Sequence, residues 1–296
     1  MKNQKMAYFY AICAVLVWSS VASAFKISLR YLDFLQLLLF SGLISCVVLL
    51  IILFAKNEFR ELSKFTFKEY LSSAVLGLLN PFLYYILLFK AYSLLPAQEA
   101  QPLNYTWPIM LVLLSIPILN QKINIKSIIS IIISFFGVLI ISTQGDVLGF
   151  GFTNLTGALI ALSSAIIWAL FWIFNIKDKR KDLPKLFLNF LFGIIYIFIA
   201  TISFSKIGVP HINGILGASY IGLFEMGITF VLWSKALDLS VSTAKVSKFI
   251  FLVPFLSLVI VYFVLDEDIY LSTIIGLFFI VLGILLEQIK KVKNKI

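Results

Sequence analysis

Apolar runs about twenty residues long recur along the whole chain, separated by short polar connections. A helix needs roughly 20 apolar residues to cross the hydrocarbon core of a bilayer. Runs of that kind fall near 7–27, 34–54, 70–92, 98–119, 126–143, 155–176, 186–204, 215–236, 243–265 and 270–288, which makes ten. A membrane β-barrel requires short segments of alternating polarity instead, so the pattern predicts an all-α integral membrane protein. Of the 296 residues, 61% are hydrophobic and 13% charged, where a soluble domain carries about 25% charge. Disorder, a disulfide scaffold and a nucleic-acid-binding domain are disfavoured on the same ground. Cys13 and Cys46 both lie in apolar runs and read as small core residues.

The net charge of +10 matters through its placement. Loop Lys and Arg set the orientation of membrane helices. With the N-terminus inside, 20 Lys and Arg fall on the cytoplasmic side and 4 outside. Discarding Lys245 and Lys248, which sit near the start of the ninth span, leaves 18 against 4. Both termini are therefore expected in the cytoplasm, in a bacterial inner membrane. The loops around Lys56–Lys68 and Lys177–Lys185 carry most of the bias, and anionic lipid of that leaflet is their expected counter-charge. Lys2, Lys5 and Ala22-Ser23-Ala24 mimic a signal peptide. The apolar run nevertheless continues to about Ile27, long enough for a retained span.

The two halves of the chain resemble each other. Leu76-Gly77-Leu78 and Lys90-Ala91 return 145 residues later as Ile221-Gly222-Leu223 and Lys235-Ala236. Pro108 and Gly137 return after 146 as Pro254 and Gly283, and Trp18 after 150 as Trp168. These offsets predict two five-helix repeats, 1–145 and 146–296. Five is odd, so the second copy enters the membrane from the opposite side. Inverted repeats of this kind are a common transporter design, with the substrate site between the halves near the midplane.

Several residues do not belong in hydrocarbon. Glu225 lies in mid-span, where a carboxylate costs about 2.5–3.5 kcal/mol on insertion scales. It should face a wet cavity, pair, or carry a proton; an interhelical hydrogen bond is the structural alternative. The 145-residue offset makes Asn80 its counterpart, followed by Pro81, which exposes a carbonyl one turn earlier. Lys248 either snorkels to the surface or reaches toward Glu225. Trp172 and Trp233 lie near helix ends, as interfacial tryptophans do. Trp18, Trp107 and Trp168 lie deeper and serve either core packing or an aromatic-walled cavity for rings and organic cations. One of Tyr84 and Tyr85 should face the same space, and Asn104 could offer it an amide. Pro108 and Pro254 read as paired kinks at which gates bend.

No enzyme constellation is present. His211, the single histidine, falls in an external loop, and no zinc motif accompanies it. Gly145, Gly149 and Gly151 lack the strand and Lys-Ser/Thr of a phosphate loop and read as a turn. No cofactor is expected, and a monomer is compatible with everything above.

Asn104-Tyr105-Thr106-Trp107-Pro108 resembles the Asn-Tyr-Leu-Trp-Pro segment of the bacterial aromatic amino acid exporters, with Thr106 departing from Leu. Asn120-Gln121-Lys122-Ile123-Asn124 and Ile167-Trp168-Ala169 continue the likeness. Across its length the chain is similar to the drug/metabolite transporter superfamily, with two EamA-like halves. That resemblance implies ten helices, both termini inside, and a central cavity lined mainly by helices 1, 3, 4, 6, 8 and 9. It also implies export of aromatic and other amino acids, or of cationic aromatic toxicants. The expectation is a secondary transporter working by alternating access on a small amphiphilic substrate. Trp18, Asn80, Tyr84, Asn104, Trp107, Trp168 and Glu225 are its candidate binding residues, and Pro81, Pro108 and Pro254 its candidate gating residues. A quaternary-ammonium exporter and a membrane-embedded lipid-processing enzyme are the alternatives.

Overall fold

A computed structural model describes residues 3–120, 125–149, 154–206, 208–241, 246 and 248–289, with side chains undescribed at 126, 127, 176, 234, 248 and 287–289. Lys2, Lys245, Gly151 and the stretch 121–124 therefore lie outside the described residues, as does the side chain of Lys248. Every regular element described is helical. Seven helices are long and apolar enough to cross a membrane, and three shorter apolar stretches, Ile128–Ser142, Phe249–Leu265 and Leu271–Leu286, stand at the fifth, ninth and tenth expected spans.

We label the apolar helices α1 (Gln4–Ser28), α2 (Phe34–Ala55), α3 (Phe67–Leu94), α4 (Ala97–Leu119), α5 (Ile125–Ser142), α6 (Leu155–Lys177), α7 (Asp182–Phe204), α8 (Ile212–Leu239), α9 (Val253–Leu265) and α10 (Leu271–Ile289). Polar side chains set where several of them begin, because the first turn of a helix has amide donors without partners. Asn3, Asp33 and Asn154 each accept from an amide of the first turn. Thr66 and Glu69 form a reciprocal capping box at the start of α3. At their far ends α4 and α9 stop on Asn120 and Asp266, both left-handed, at φ 51° and 56°.

Packing follows small residues. Ala7, Ala11, Ala14 and Ala22 of α1 are fully buried, while Phe9 and Leu16 on its other face are more than half exposed and available to lipid. Helix α1 packs on α8 and α9, and α6 packs on α3 and α4. Helix α2 packs on α8, and α7 on α3; α2 also meets α7, and α5 meets α10. Each contact thus has a counterpart with the two halves exchanged.

The closest approaches repeat the pattern. A Cβ at Gly77 would collide with the Asn189 carbonyl oxygen of α7, and one at Gly222 with the Ser41 carbonyl oxygen of α2. Both obstacles are backbone and cannot swing away. Gly77→Ala and Gly222→Ala are each expected to destabilise the protein by about 1–3 kcal/mol, the usual cost of overpacking. Thermal unfolding in detergent checks this, and an unchanged midpoint in both would contradict the close crossing.

Loop ends sort onto two faces. On the face where α1 begins, the Asn3 amide donates to the Leu239 carbonyl at 2.9 Å, and Lys181 pairs with Glu61 at 3.5 Å. Arg180 there ties two basic loops together. Its guanidinium pairs with Asp178, donates to the Glu69 carbonyl and lies 5.0 Å from the Phe65 ring centre. Burial pushes the Asp178 carboxyl up, but hydrogen bonds and charge from Arg180 outweigh it and hold it below the ordinary carboxylate range. On the far face His211 stacks on Tyr31, and Asp33 accepts from Ser205.

Candidate functional site

Between the halves lies a cavity of about 630 Å³, walled by α1, α3, α4, α6 and α8 with Ile250 and Phe251 of the 3-10 turn Lys248–Leu252 before α9 and Ile284 of α10. That volume suits a small organic molecule. All five tryptophans of the chain, Trp18, Trp107, Trp168, Trp172 and Trp233, line it. Four of them, Trp18, Trp168, Trp172 and Trp233, join with Phe230 and Tyr84 in one aromatic surface. Trp233 lies 5.4 Å from Trp18, Phe230 lies 6.2 Å from both Trp18 and Trp168, and Trp168 stacks on Tyr84 at 4.4 Å.

Trp172 and Trp233, expected at helix ends near the interface, face the cavity. Depth along a helix says nothing about direction around it, and both helices turn these residues inward. Trp172 meets Trp168 edge-on at 5.9 Å, and its indole nitrogen is buried without a partner among the described residues.

Glu225 is the one carboxylate among the described residues on the wall, and no Lys, Arg or His joins it. Helix α8 is locally widened to a π-helix over Ile221–Ile228, a form frequent at functional sites. That widening carries Glu225, which is 8% exposed. Tyr85 is fully buried beside the wall and donates to Glu225 Oε1 at 3.2 Å. Oε2 has no hydrogen-bond partner among the described residues. A buried carboxylate on an aromatic cavity wall, with one oxygen accepting from Tyr85 and the other without a partner among the described residues, is built to receive a donor or a positive charge.

Of the two tyrosines, Tyr84 is the one on the wall. Its hydroxyl donates to Asn104 Oδ1 at 3.4 Å, and Asn104 Nδ2 donates to Ser164 Oγ at 2.9 Å. Asn104 thus lines the cavity with most of its amide engaged, orienting Tyr84. Gln101, Tyr105 and Phe230 also line it. Tyr105 is marked only as part of the Asn104–Pro108 segment that carries the resemblance, Gln101 sits in ordinary helical register, and one more phenylalanine among 29 carries no signal.

Asn80 and Pro81 are not on the wall. Asn80 is extended (φ −145°, ψ 119°) at a break in α3, joined to Pro81 by a cis peptide bond. It is fully buried, and neither amide atom has a partner among the described residues. An orphaned buried amide of this kind costs about 1–3 kcal/mol. Pro108 lines the cavity and Pro254 does not. Each stands in the first turn of an α-helix that restarts after an interruption, where a proline's missing donor is not needed. Pro108 is the second residue of the helix that restarts at Trp107, and Pro254 is the second of α9.

The far end of the cavity, at Tyr92 and Gln101, lies beneath a polar clasp. Lys26 of α1 donates to the Tyr92 and Leu95 carbonyls, both at 3.0 Å. The Glu267 carboxylate accepts from the Ala97 and Gln98 amides at 3.3 and 3.5 Å, capping α4. The Gln98 side chain donates to the Asp268 carbonyl at 2.7 Å and accepts from the Tyr270 amide at 2.9 Å. At the other end the lining reaches Leu237, near the end of α8. There Lys177, at the corresponding end of α6, is exposed and stands over the ring of its own Phe174.

The sequence matches the model of the EamA-like transporter family twice, over residues 5–143 and 155–287. It is 25% identical over 293 residues to the uncharacterized transporter YoaV of Bacillus subtilis, covering 96% of this chain and 97% of that one. Identity to the uncharacterized transporter YvbV of the same organism is 30%, covering 87% and 84%. An uncharacterized transporter of Acidianus ambivalens is 31% identical, covering 70% and 80%. A crystal structure at 18% identity superposes over 99% of this chain and all of that one with a TM-score of 0.68, a likeness of fold.

Proposed function

Because the chain belongs to the EamA-like transporter family, and so to the drug/metabolite transporter superfamily, we propose that it is a secondary carrier exporting aromatic amino acids or related small amines by alternating access. The observation that carries this reading is Glu225, with one oxygen held by Tyr85 and the other without a partner among the described residues, in a cavity lined by five tryptophans. A primary ammonium meets that oxygen, an aromatic body stacks on Trp18 or Trp168, and a carboxylate finds indole N–H and amide donors such as Gln101.

Alternation follows from ten helices in two inverted repeats, 1–145 and 146–296. The exchanged packing pairs, the paired close crossings at Gly77 and Gly222, and the double family match support that arrangement. Two near-equivalent halves have two near-equivalent ways to pack, one open to each side. With both termini in the cytoplasm of a bacterium, as the loop charge implies, the clasp seals the outside and the cavity receives solute from within. No step in this reading requires bond chemistry, so the protein acts as a carrier and not as an enzyme. The basic loops around Lys56 and Lys179 then rest on anionic lipid.

A second reading rests on the lack of Lys, Arg or His among the described wall residues. A quaternary ammonium ion brings no carboxylate that would call for such a residue, and its charge fits a carboxylate with aromatic faces. Counterflow of labelled phenylalanine, threonine and tetraethylammonium in proteoliposomes separates the two. Saturable exchange of phenylalanine supports the amino acid reading, and exchange of tetraethylammonium alone moves the protein to the cation reading. No exchange of any of the three would refute both.

A further inference from the structure

The counterpart segments of α3 and α8 carry counterpart polar residues in different shapes. Glu225 sits on a wound π turn whose residues remain helical, and it faces the cavity. Asn80 sits at a break in the helix, extended and off the wall, with its whole amide buried and without a partner among the described residues. Their surroundings differ in step. Ser45 of α2 donates to the Met226 carbonyl at 2.8 Å, which secures the wound segment. At Pro81, the counterpart of Met226, the proline ring instead packs so tightly on Gly193 of α7 that a Cβ there would lie 2.5 Å from Pro81 Cδ.

We propose that these are the two settings of one element, and that Asn80 is the second polar contact of the transport path, buried now and brought to the cavity wall when the protein faces the other way. The proposal rests on the alternating-access reading above. In an inverted repeat the opposite state is reached when one half rocks against the other about the site between them. Segment 78–83 then turns residue 80 toward the solute. Segment 221–228 opens in exchange and withdraws Glu225 from the wall. This accounts for an amide that no described neighbour satisfies: its partner is solute or water in the other state. It also makes the two states chemically unequal, because a carboxylate serves one and a neutral amide the other. A cationic head is held more tightly in the state seen here.

Cysteine accessibility in the full chain tests this. In a background with Cys13→Ser and Cys46→Ala, Asn80→Cys and Trp172→Cys are reacted with a charged methanethiosulfonate in detergent, with and without Glu267→Gln to loosen the clasp. The expected result is that loosening speeds reaction at position 80 at least tenfold and slows reaction at position 172. If position 172 slows while position 80 does not change, the protein alternates and the role given to Asn80 is wrong. If neither changes, clasp-gated alternation fails and the proposal falls with it. Should Asn80→Cys not fold, hydrogen exchange needs no change at that position. On Glu267→Gln alone, peptides covering 78–83 and 221–228 should change in opposite directions, and parallel or absent changes would overturn the proposal.

Discussion

Replacing Glu225 with glutamine is expected to weaken binding of a cationic solute by 10- to 100-fold while leaving the protein at least as stable. Glutamine keeps the shape and an oxygen that accepts from Tyr85, now 3.2 Å from Glu225 Oε1. What it removes is the charge behind Oε2. A hydrogen bond to a charged group contributes about 1.5–3 kcal/mol, and each 1.4 kcal/mol is about tenfold in affinity. Stability should not fall, because an ionised carboxylate that is 8% exposed is itself costly. Equilibrium binding of labelled phenylethylamine to wild type and Glu225→Gln measures the first effect, and thermal unfolding the second. Equal affinities in the two proteins would remove Glu225 from the site. A large loss of stability would make it a structural residue.

Lys26→Met is expected to shift the protein toward its other-facing state by roughly 10- to 30-fold. Methionine matches the lysine stem but supplies neither of the donations to the Tyr92 and Leu95 carbonyls. Those carbonyls end α3 where it turns into α4, so both lose a partner only while the clasp stays shut. A loss of about 1.5–2 kcal/mol confined to one state moves a two-state balance by that factor. Spin labels at Ser93 and Asp268, both exposed on the clasp face, report it as a longer-distance population in pulsed dipolar measurements. An unchanged distance distribution would mean that the clasp only decorates that face.

Most helix positions were legible because a bilayer leaves few options: backbone groups must be satisfied internally, and that demands long apolar runs. Glu225 was legible for the same reason, as the residue such a run should not contain. Direction around a helix was not legible. Trp172 and Trp233 carry the depth signature of interfacial residues, yet their helices turn them onto the cavity wall. Lys26 near the end of α1 looks like an ordinary snorkelling lysine, and only the fold brings it to the Tyr92 and Leu95 carbonyls across 66 and 69 residues of sequence. The repeat offset pairs Asn80 with Glu225 by position. It could not show that the two halves hold different shapes, because sequence similarity records what the halves share. The structure shows what one conformation makes unequal, and in it Glu225 faces the cavity and Asn80 does not.

The placement of the tryptophans also has a spectroscopic consequence. Since all five line the cavity, no indole elsewhere in the 296 residues dilutes the signal. The intrinsic emission of the protein is the emission of its cavity. A ligand that enters changes the polarity and quenching around most of its fluorophores at once, so an unlabelled compound announces itself by a spectral shift of the native chain. Candidate solutes can therefore be screened by the hundred on wild-type protein, with no dye attached and no radiolabel made.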